Sequence, residues 1–357
     1  MDTLQIAVIP GDGIGSEVMD EGIKVLDAAA KIDGSITFKY TSFPWSCQYY
    51  LEHGVMMPSD GIQTLSNFHH IFLGAVGWPT VADHVSLWGL LIPIRRSFEQ
   101  YVNLRPTKLL RGVESPLRNF PPKDFVFSIV RENTEGEYSN MGGRLHSGQD
   151  YEIVVQNTVF TRIGTKRIIE AAFDMASQSR QYVVGATKSN GINYTMPFWD
   201  EVFNEVAAQY PSVKAELMHV DALAAQFVLK PEVFDIVVAS NLLGDVLSDL
   251  GSALMGSIGI APSANINPTG QKPCMFEPVH GSAPDIAGKG IANPIGQIWS
   301  AKMLLDHLGK AELGDMVLAA IEDVMEQGMT TPDLGGKATT KEVGDAIVAH
   351  FMKRAHP

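Results

Sequence analysis

Two aspartates four residues apart, Asp245 and Asp249, are the residues in this 357-residue chain whose type and spacing point most directly to chemistry. On a helix that spacing puts both carboxylates on one face, with Cβ atoms roughly 5–6 Å apart. Carboxylates that close repel each other unless a cation lies between them, and an oxygen set of this kind suits Mg²⁺ or Mn²⁺. The local pattern supports such a helix: residues 236–239 are a short apolar run of strand type, Asn241 and Gly244 punctuate it, and helical periodicity follows from about 245 to 255. A plainer reading runs alongside. Leu242, Val246 and Leu250 form an apolar row, which leaves the aspartates as the solvated side of an ordinary helix, with Asp245 favourable near its N-terminus. The cation reading needs more from the chain: a third ligand and an anionic substrate.

Groups that bind anions are present. The segment 86–106 carries Arg95, Arg96 and Arg105 in or beside an apolar, aromatic helix, and guanidinium groups grip carboxylates in a bidentate fork. The competing reading makes Arg96 and one other plain surface arginines whose stems lie on apolar ground. Residues 125–130 form another apolar run that delivers Arg131, and then Tyr138, to a strand end, where ligands of α/β sheets gather. Lys188 and Asn190 follow an apolar strand at 182–186, and a lysine so placed is either a general base or a solvated charge. Asp221, at the end of a strand over 213–220, is a third carboxylate for the cation.

The elements that must position these groups alternate. Residues 4–9 read as a buried strand, a helix runs to about 31, and further strands fall at 36–43 and 71–76, which predicts a largely parallel sheet. The turn Gly11-Asp-Gly-Ile-Gly15 fails the G-x-G-x-x-G dinucleotide fingerprint because Ser16 stands where the last glycine belongs. Residues 142–150 read as a protruding loop and 151–155 as an exposed strand, an arm of the kind that makes oligomer contacts or simply a hairpin. Helices are predicted over 161–179, 197–209, 294–308, 312–327 and 341–354, an extended piece at 258–262, and a long ligand-facing loop over 276–294.

Composition narrows the function classes. With 27 basic and 40 acidic residues the net charge is −13, which argues against a nucleic-acid backbone as partner. Two separated cysteines, Cys47 and Cys274, exclude a disulfide scaffold and fit a reducing compartment. The start of the chain reads as a strand rather than a signal peptide, and no apolar run is long enough to span a bilayer. The expectation is a cytoplasmic protein with no membrane partner.

Taken together, Gly11–Gly15, Asn103-Leu-Arg-Pro106, the segment from Arg131 to Tyr138, Lys188-Ser-Asn190, Asn241-Leu-Leu-Gly-Asp245 with Asp249, and His280-Gly-Ser-Ala-Pro-Asp285 resemble the β-decarboxylating dehydrogenases, in family order over nearly the whole chain. That family acts on isopropylmalate, isocitrate, homoisocitrate, and tartrate or D-malate. The segment Asp83-His-Val-Ser-Leu-Trp-Gly89 resembles the tartrate/D-malate branch: the Trp88 indole fills the space that takes an isopropyl group, although Ser86 leaves an isocitrate-like contact open. The resemblance implies an α/β fold like that of isopropylmalate dehydrogenase, a large mixed sheet flanked by helices, not a Rossmann unit. It also implies two discontinuous domains, 1–102 with 257–357 for NAD, and 103–256 for dimerisation, metal and substrate, with the arm near 139–157.

Residue roles follow by resemblance. Arg95, Arg105, Arg131 and Trp88 would meet the substrate. Asp245 and Asp249 of one subunit, with Asp221 of the other, would hold Mn²⁺ or Mg²⁺. Lys188 would take the hydroxyl proton across the same interface, and Tyr138 would return a proton to C3. Ile14, Asn190, Glu277, His280, Gly281, Ser282, Ala283, Pro284, Asp285 and Asn293 would bind the cofactor, with the Asp285 carboxylate favouring NAD over NADP. K⁺ is a further cofactor of this reading, and a homodimer with shared sites its assembly. Isopropylmalate dehydrogenase is the competing enzyme. A silent regulatory subunit is the competing non-enzyme, and the intact catalytic positions argue against it.

Overall fold

The computed structural model describes residues 2–117 and 125–355. Strands β1 (Asp2–Gly11), β2 (Ile36–Ser42), β3 (His70–Ala75), β4 (Val102–Lys108) and β5 (Val126–Glu132) precede a hairpin of β6 (Gly142–Leu145) and β7 (Ile153–Gln156). Strands β8 (Tyr182–Thr187), β9 (Lys214–His219), β10 (Ile236–Ala239), β11 (Pro262–Ile266) and β12 (Cys274–Pro278) follow. All but the hairpin join one 10-stranded sheet in the order β2-β1-β3-β12-β11-β4-β5-β10-β8-β9. Pairing is parallel at both flanks, while the three central pairs β12/β11, β11/β4 and β4/β5 are antiparallel. The expected large mixed sheet is therefore present, and its order is not that of a Rossmann unit.

Burial explains the strand identities. β3, β10 and β12 are buried along their whole length, as continuous apolar runs in a sheet covered on both faces should be. Helices Gly15–Asp33, Ile295–His307, Ala311–Glu326 and Thr340–Ala355 contribute Val25, Leu304, Ile321 and Ile347, each fully buried, to the largest core cluster. Among the described residues no helix is long and apolar enough to cross a membrane.

Several elements differ from the sequence reading. Arg105 lies on the central strand β4, not beside a helix. β11 pairs only with residues 102–104 of β4, so at Pro106 the missing N–H costs no ladder bond on that side. Residues 83–97 form one longer helical stretch with a π-turn at Leu87–Leu91, in which Ile92 N–H reaches the Leu87 carbonyl. Pro93, which has no N–H to offer Gly89, is the physical cause. Asp221 does not end a strand: it sits in the first turn of helix Val220–Leu229. Phe276–Pro278 belong to β12 rather than to a loop, and the extended piece near 258 is a 3-10 turn followed by β11.

Candidate active site

Strand β10 ends at Ala239, and helix Asn241–Leu254 starts directly after it, four residues earlier than the periodicity predicts. Its N-terminus is held from another segment: the Glu137 carboxylate accepts from Leu242 N–H (3.0 Å) and Ser240 Oγ (2.7 Å). This orientation reverses the plain reading of the helix. Val246 is 60% exposed and Leu242 39%, while the Asp245 side chain is only 32% exposed. Leu242 and Val246 face outward, Leu250 is partly buried against the core, and Asp245 faces in.

What Asp245 faces is positive charge. Arg131, on β5 beside Ala239, donates to Asp245 Oδ1 and to Asn241 Oδ1, the latter at 2.7 Å from Nη2. Arg105 Nη1 lies 3.3 Å from Asp245 Oδ1 and 3.7 Å from Asp249 Oδ1, and donates to Ser248 Oγ at 2.6 Å. Tyr138 Oη donates to Asp245 Oδ2 at 2.7 Å. Burial favours a protonated Asp245, yet the Arg131 and Arg105 guanidiniums outweigh it and hold the carboxyl below the usual carboxylate range. Burial, with the field of Arg105, drops the enclosed Arg131 to about 10. Tyr138 is pushed up to about 12, first by burial and then by donating to Asp245. Asp249 moves the other way from its neighbour, upward, because burial dominates.

Arg95 is buried behind this group, its Nη2 2.7 Å from Glu277 Oε1, with its Nε lacking a partner. Glu277 therefore sits in an ion pair on β12 and also accepts from Asn265 Nδ2 at 2.7 Å. Trp88, on the π-turn, is half-buried with the Arg96 guanidinium 5.0 Å from its ring centroid. Arg96 is not a plain surface arginine: it donates to the carbonyls of Thr134 (3.1 Å) and Tyr138 (2.6 Å), so it couples Trp88 to the tyrosine segment.

Two predicted residues stand apart from this cluster. Lys188 Nζ lies 3.1 Å from Asp221 Oδ1, and among the described residues neither bonds to Asp245 or Asp249. Neighbouring strands β8 and β9, in register at Thr187↔His219, bring this pair together, and the Asp221 side chain is 68% exposed. Asn190 is exposed just beyond.

The remaining predicted residues build a second cavity of about 370 Å³, lined by Ile14, His280, Ala283 and Asn293 together with Ile258, Ile286 and Asp333. The glycine turn closes one wall: a Cβ on Gly13 would meet the Ser282 carbonyl oxygen at 2.0 Å, and Ile14 N–H donates to that oxygen at 2.9 Å. The amides of Asp12, Ile14 and Gly15 all donate to protein carbonyls, so this turn is no phosphate cradle. His280 Nδ1–H donates to Gly281 O (2.9 Å), while its Nε2 is buried without a partner. Burial lowers the His280 pKa, so the ring is neutral. Gly281, Pro284 and Asp285 are exposed and next in sequence to the lining residues His280, Ala283 and Ile286.

Residues 5–347 match the family model described as isocitrate/isopropylmalate dehydrogenase. The chain belongs to that family. It is 58% identical over 354 residues to a Bacillus subtilis protein named "Probable tartrate dehydrogenase/decarboxylase", covering 99% of each chain. It is 54% identical over 361 residues to the "D-malate dehydrogenase [decarboxylating]" of Escherichia coli K12, covering 99% of this chain and 100% of the other. A solved isocitrate dehydrogenase from Methylococcus capsulatus superposes with a TM-score of 0.87 at 31% identity, over 99% of this chain and 100% of that one.

Within this family frame, sequence reasoning gave no role to Asn241, Ser248, Glu137 and Asp333, and left Arg96 between carboxylate clamp and surface arginine. Asn241 was within reach, since it precedes Asp245 by four and shares its helix face. Gly244 also has a role that spacing hides: a Cβ there would meet Arg131 Cγ at 2.6 Å and Cβ at 2.7 Å. Gly244→Ala is expected to push helix and strand apart, with a loss of about 1–3 kcal/mol in urea unfolding.

Proposed function

We propose that this protein is an NAD- and divalent-cation-dependent dehydrogenase that oxidises a small 2-hydroxy dicarboxylate, D-malate or tartrate, and decarboxylates D-malate to pyruvate and CO₂. One observation carries the reading: Arg105, Arg131 and Tyr138 all converge on Asp245, beside Asp249. Names of relatives at 58% and 54% identity support the chemistry.

The donor sets fit both cofactors. Asp245 and Asp249 offer hard oxygen ligands one helical turn apart, and Arg105 already spans them as a cation does. The largely apolar cavity with its unpaired His280 Nε2 suits an adenosine moiety, and Asp285, next in sequence to the lining residue Ile286, favours NAD over a 2′-phosphate. When bound, the cation draws charge from the C2 oxygen, and NAD accepts the hydride from C2.

The chain's own side chains do the remainder. Arg95, Arg105 and Arg131 hold the two carboxylates in a bidentate grip. Tyr138, held near 12, is protonated at neutral pH and is the acid that returns a proton to C3 after CO₂ leaves. Lys188 and Asp221 act from a second subunit. The outward Val246 and the arm residues Leu145 (60% exposed) and Val154 (66% exposed) form its docking surface. The two-domain division also follows the sheet, since residues 1–102 and 257–357 supply the strands from β2 to β11 and residues 103–256 essentially those from β4 to β9.

The test is NADH formation with Mn²⁺ across D-malate, L-tartrate, meso-tartrate, isopropylmalate and isocitrate, repeated with NADP and with chelator. Chelator-sensitive turnover of D-malate or tartrate with NAD is expected. Trp88→Leu opens room for a branched substituent and is expected to shift the isopropylmalate-to-D-malate ratio of kcat/KM upward by about 10–200-fold. Wild-type preference for isopropylmalate would sink the substrate assignment, and silence on all five substrates would sink the enzyme reading.

A further inference from the structure

At the end of β3 and β12 away from the glycine turn, His70 and Cys274 open these parallel neighbours in register with each other. His307, the last residue of helix Ile295–His307, comes down on the same spot, its ring centroid 5.0 Å from that of His70. One ligand atom from each of the three, two imidazole nitrogens and the Cys274 sulfur, lie within 4.8 Å of one another. His70 is only 9% exposed, and its Nδ1 is buried with no hydrogen-bond partner. Cys274 is fully buried, and its sulfur has only long contacts, 3.4 Å from Asn267 N and 3.8 Å from Asn267 O. A cavity of about 250 Å³, lined by His70, His307, Phe68 and Lys272 among others, opens beside the three.

None of these groups serves the dehydrogenase site. β3 runs from His70 to Ala75 and delivers its other end to the glycine turn, where Asp12 N–H donates to Ala75 O. At about 3.3 Å per residue, a six-residue strand separates the two ends by most of 20 Å.

We propose that His70, Cys274 and His307 form a second metal site, for a borderline-soft divalent cation such as Zn²⁺, bound by two imidazoles and a thiolate with the fourth position open to the adjoining cavity. The donor types decide the class. Nitrogen and sulfur ligands select Zn²⁺ or Co²⁺ over the Mg²⁺ or Mn²⁺ that suit the carboxylate pair. Tetrahedral Zn²⁺ with bonds of about 2.0–2.3 Å places its ligand atoms roughly 3.3–3.6 Å apart, so the triad must close by about 1 Å. His307, the least enclosed of the three at its helix end, is the residue that can move.

Burial keeps both protein partners in a defined state beforehand. His70 is driven down to about 3 and is a neutral ligand at any ordinary pH, whereas Cys274 is pushed up to about 11. Binding therefore displaces one proton, from Sγ, for each cation bound, and apparent affinity rises about tenfold per pH unit.

Co²⁺ titration of the full chain in excess Mg²⁺ tests the site, because only a sulfur ligand gives a thiolate-to-Co²⁺ charge-transfer band in the near ultraviolet. One equivalent per chain is expected, displaced by Zn²⁺, and tightening with pH as above. The band should survive Cys47→Ser, which removes the only other sulfhydryl, and Asp245→Asn. It should vanish in Cys274→Ser. His307→Ala, at a partly exposed position that leaves the core intact, should weaken binding at least about tenfold. Absence of the band in the wild type, its loss in Cys47→Ser, or undiminished affinity in His307→Ala overturns the proposal.

Discussion

Asp245→Asn is expected to lower kcat/KM for D-malate by about 10²–10³-fold and, separately, to destabilise the cation-free protein. The two effects have different origins. Activity falls because one of two carboxylates one turn apart loses the charge that attracts the cation. Stability falls because Arg131, whose side chain is 3% exposed, keeps Asn241 as an acceptor but loses its carboxylate. A buried donor left with a poorer partner costs about 1–3 kcal/mol, readable as a lower urea midpoint in chelator. Asp249→Asn separates the two. Its side chain is 59% exposed and its one ion pair is loose, 3.7 Å to Arg105. Stability should change by no more than about 0.5 kcal/mol, while activity should fall as it does for Asp245→Asn. Equal destabilisation by both variants would mean that the carboxylates serve the fold alike, and that the inward aim of Asp245 toward Arg131 adds nothing to stability.

This contrast between the aspartates is also where sequence reading reached its limit. Spacing placed Asp245 and Asp249 on one helix face and left open whether that face meets solvent or a cation. Leu242 and Val246 are apolar and still point outward, because Leu247 and Leu254 fill the core beneath the helix while Asp245 turns toward the arginine heads of β4 and β5. Local periodicity identifies which residues share a face; it does not say what that face meets. Residue type marked Arg95, Arg105 and Arg131 as candidate carboxylate binders, Arg131 at a strand end and the others in or beside a helix, and their substrate role came only with the family resemblance. Their convergence depends on β4 lying between β11 and β5, a neighbourhood that local sequence does not carry. Likewise, the Lys188–Asp221 pair needs the parallel pairing of β8 with β9, which no local signal carries. The glycine turn departs from the dinucleotide fingerprint at Ser16, and its Asp12, Ile14 and Gly15 amides donate to protein carbonyls. What the turn does instead, walling the His280 cavity through Ser282, is a long-range contact that spacing cannot reveal.

Subunit mixing should give the second large effect. Lys188→Met and Asp245→Asn are each expected to be nearly inactive as homodimers, the first by about 10²–10⁴-fold as for loss of a general base. If Lys188 and Asp221 complete the site of the neighbouring subunit, a mixed dimer carries both lesions in one site and none in the other. Random exchange then makes half the dimers mixed and restores about a quarter of the wild-type sites. Lys188→Met mixed with Asp221→Asn must not recover, since both lesions fall in the same group. Neither must Asp245→Asn mixed with Asp249→Asn. The geometry favours recovery: Lys188 and Asp221 satisfy each other at 3.1 Å in the open, while among the described residues Asp245 is paired with arginines and no lysine. An exposed ion pair of this kind adds little to the stability of its own chain. Under the proposed function, Lys188 acts as a base once the outward face with Leu242 and Val246 brings a second copy of the Asp245 helix against it. Failure to recover after verified exchange would place the whole site within one chain, and the exposed lysine would then be a solvated charge.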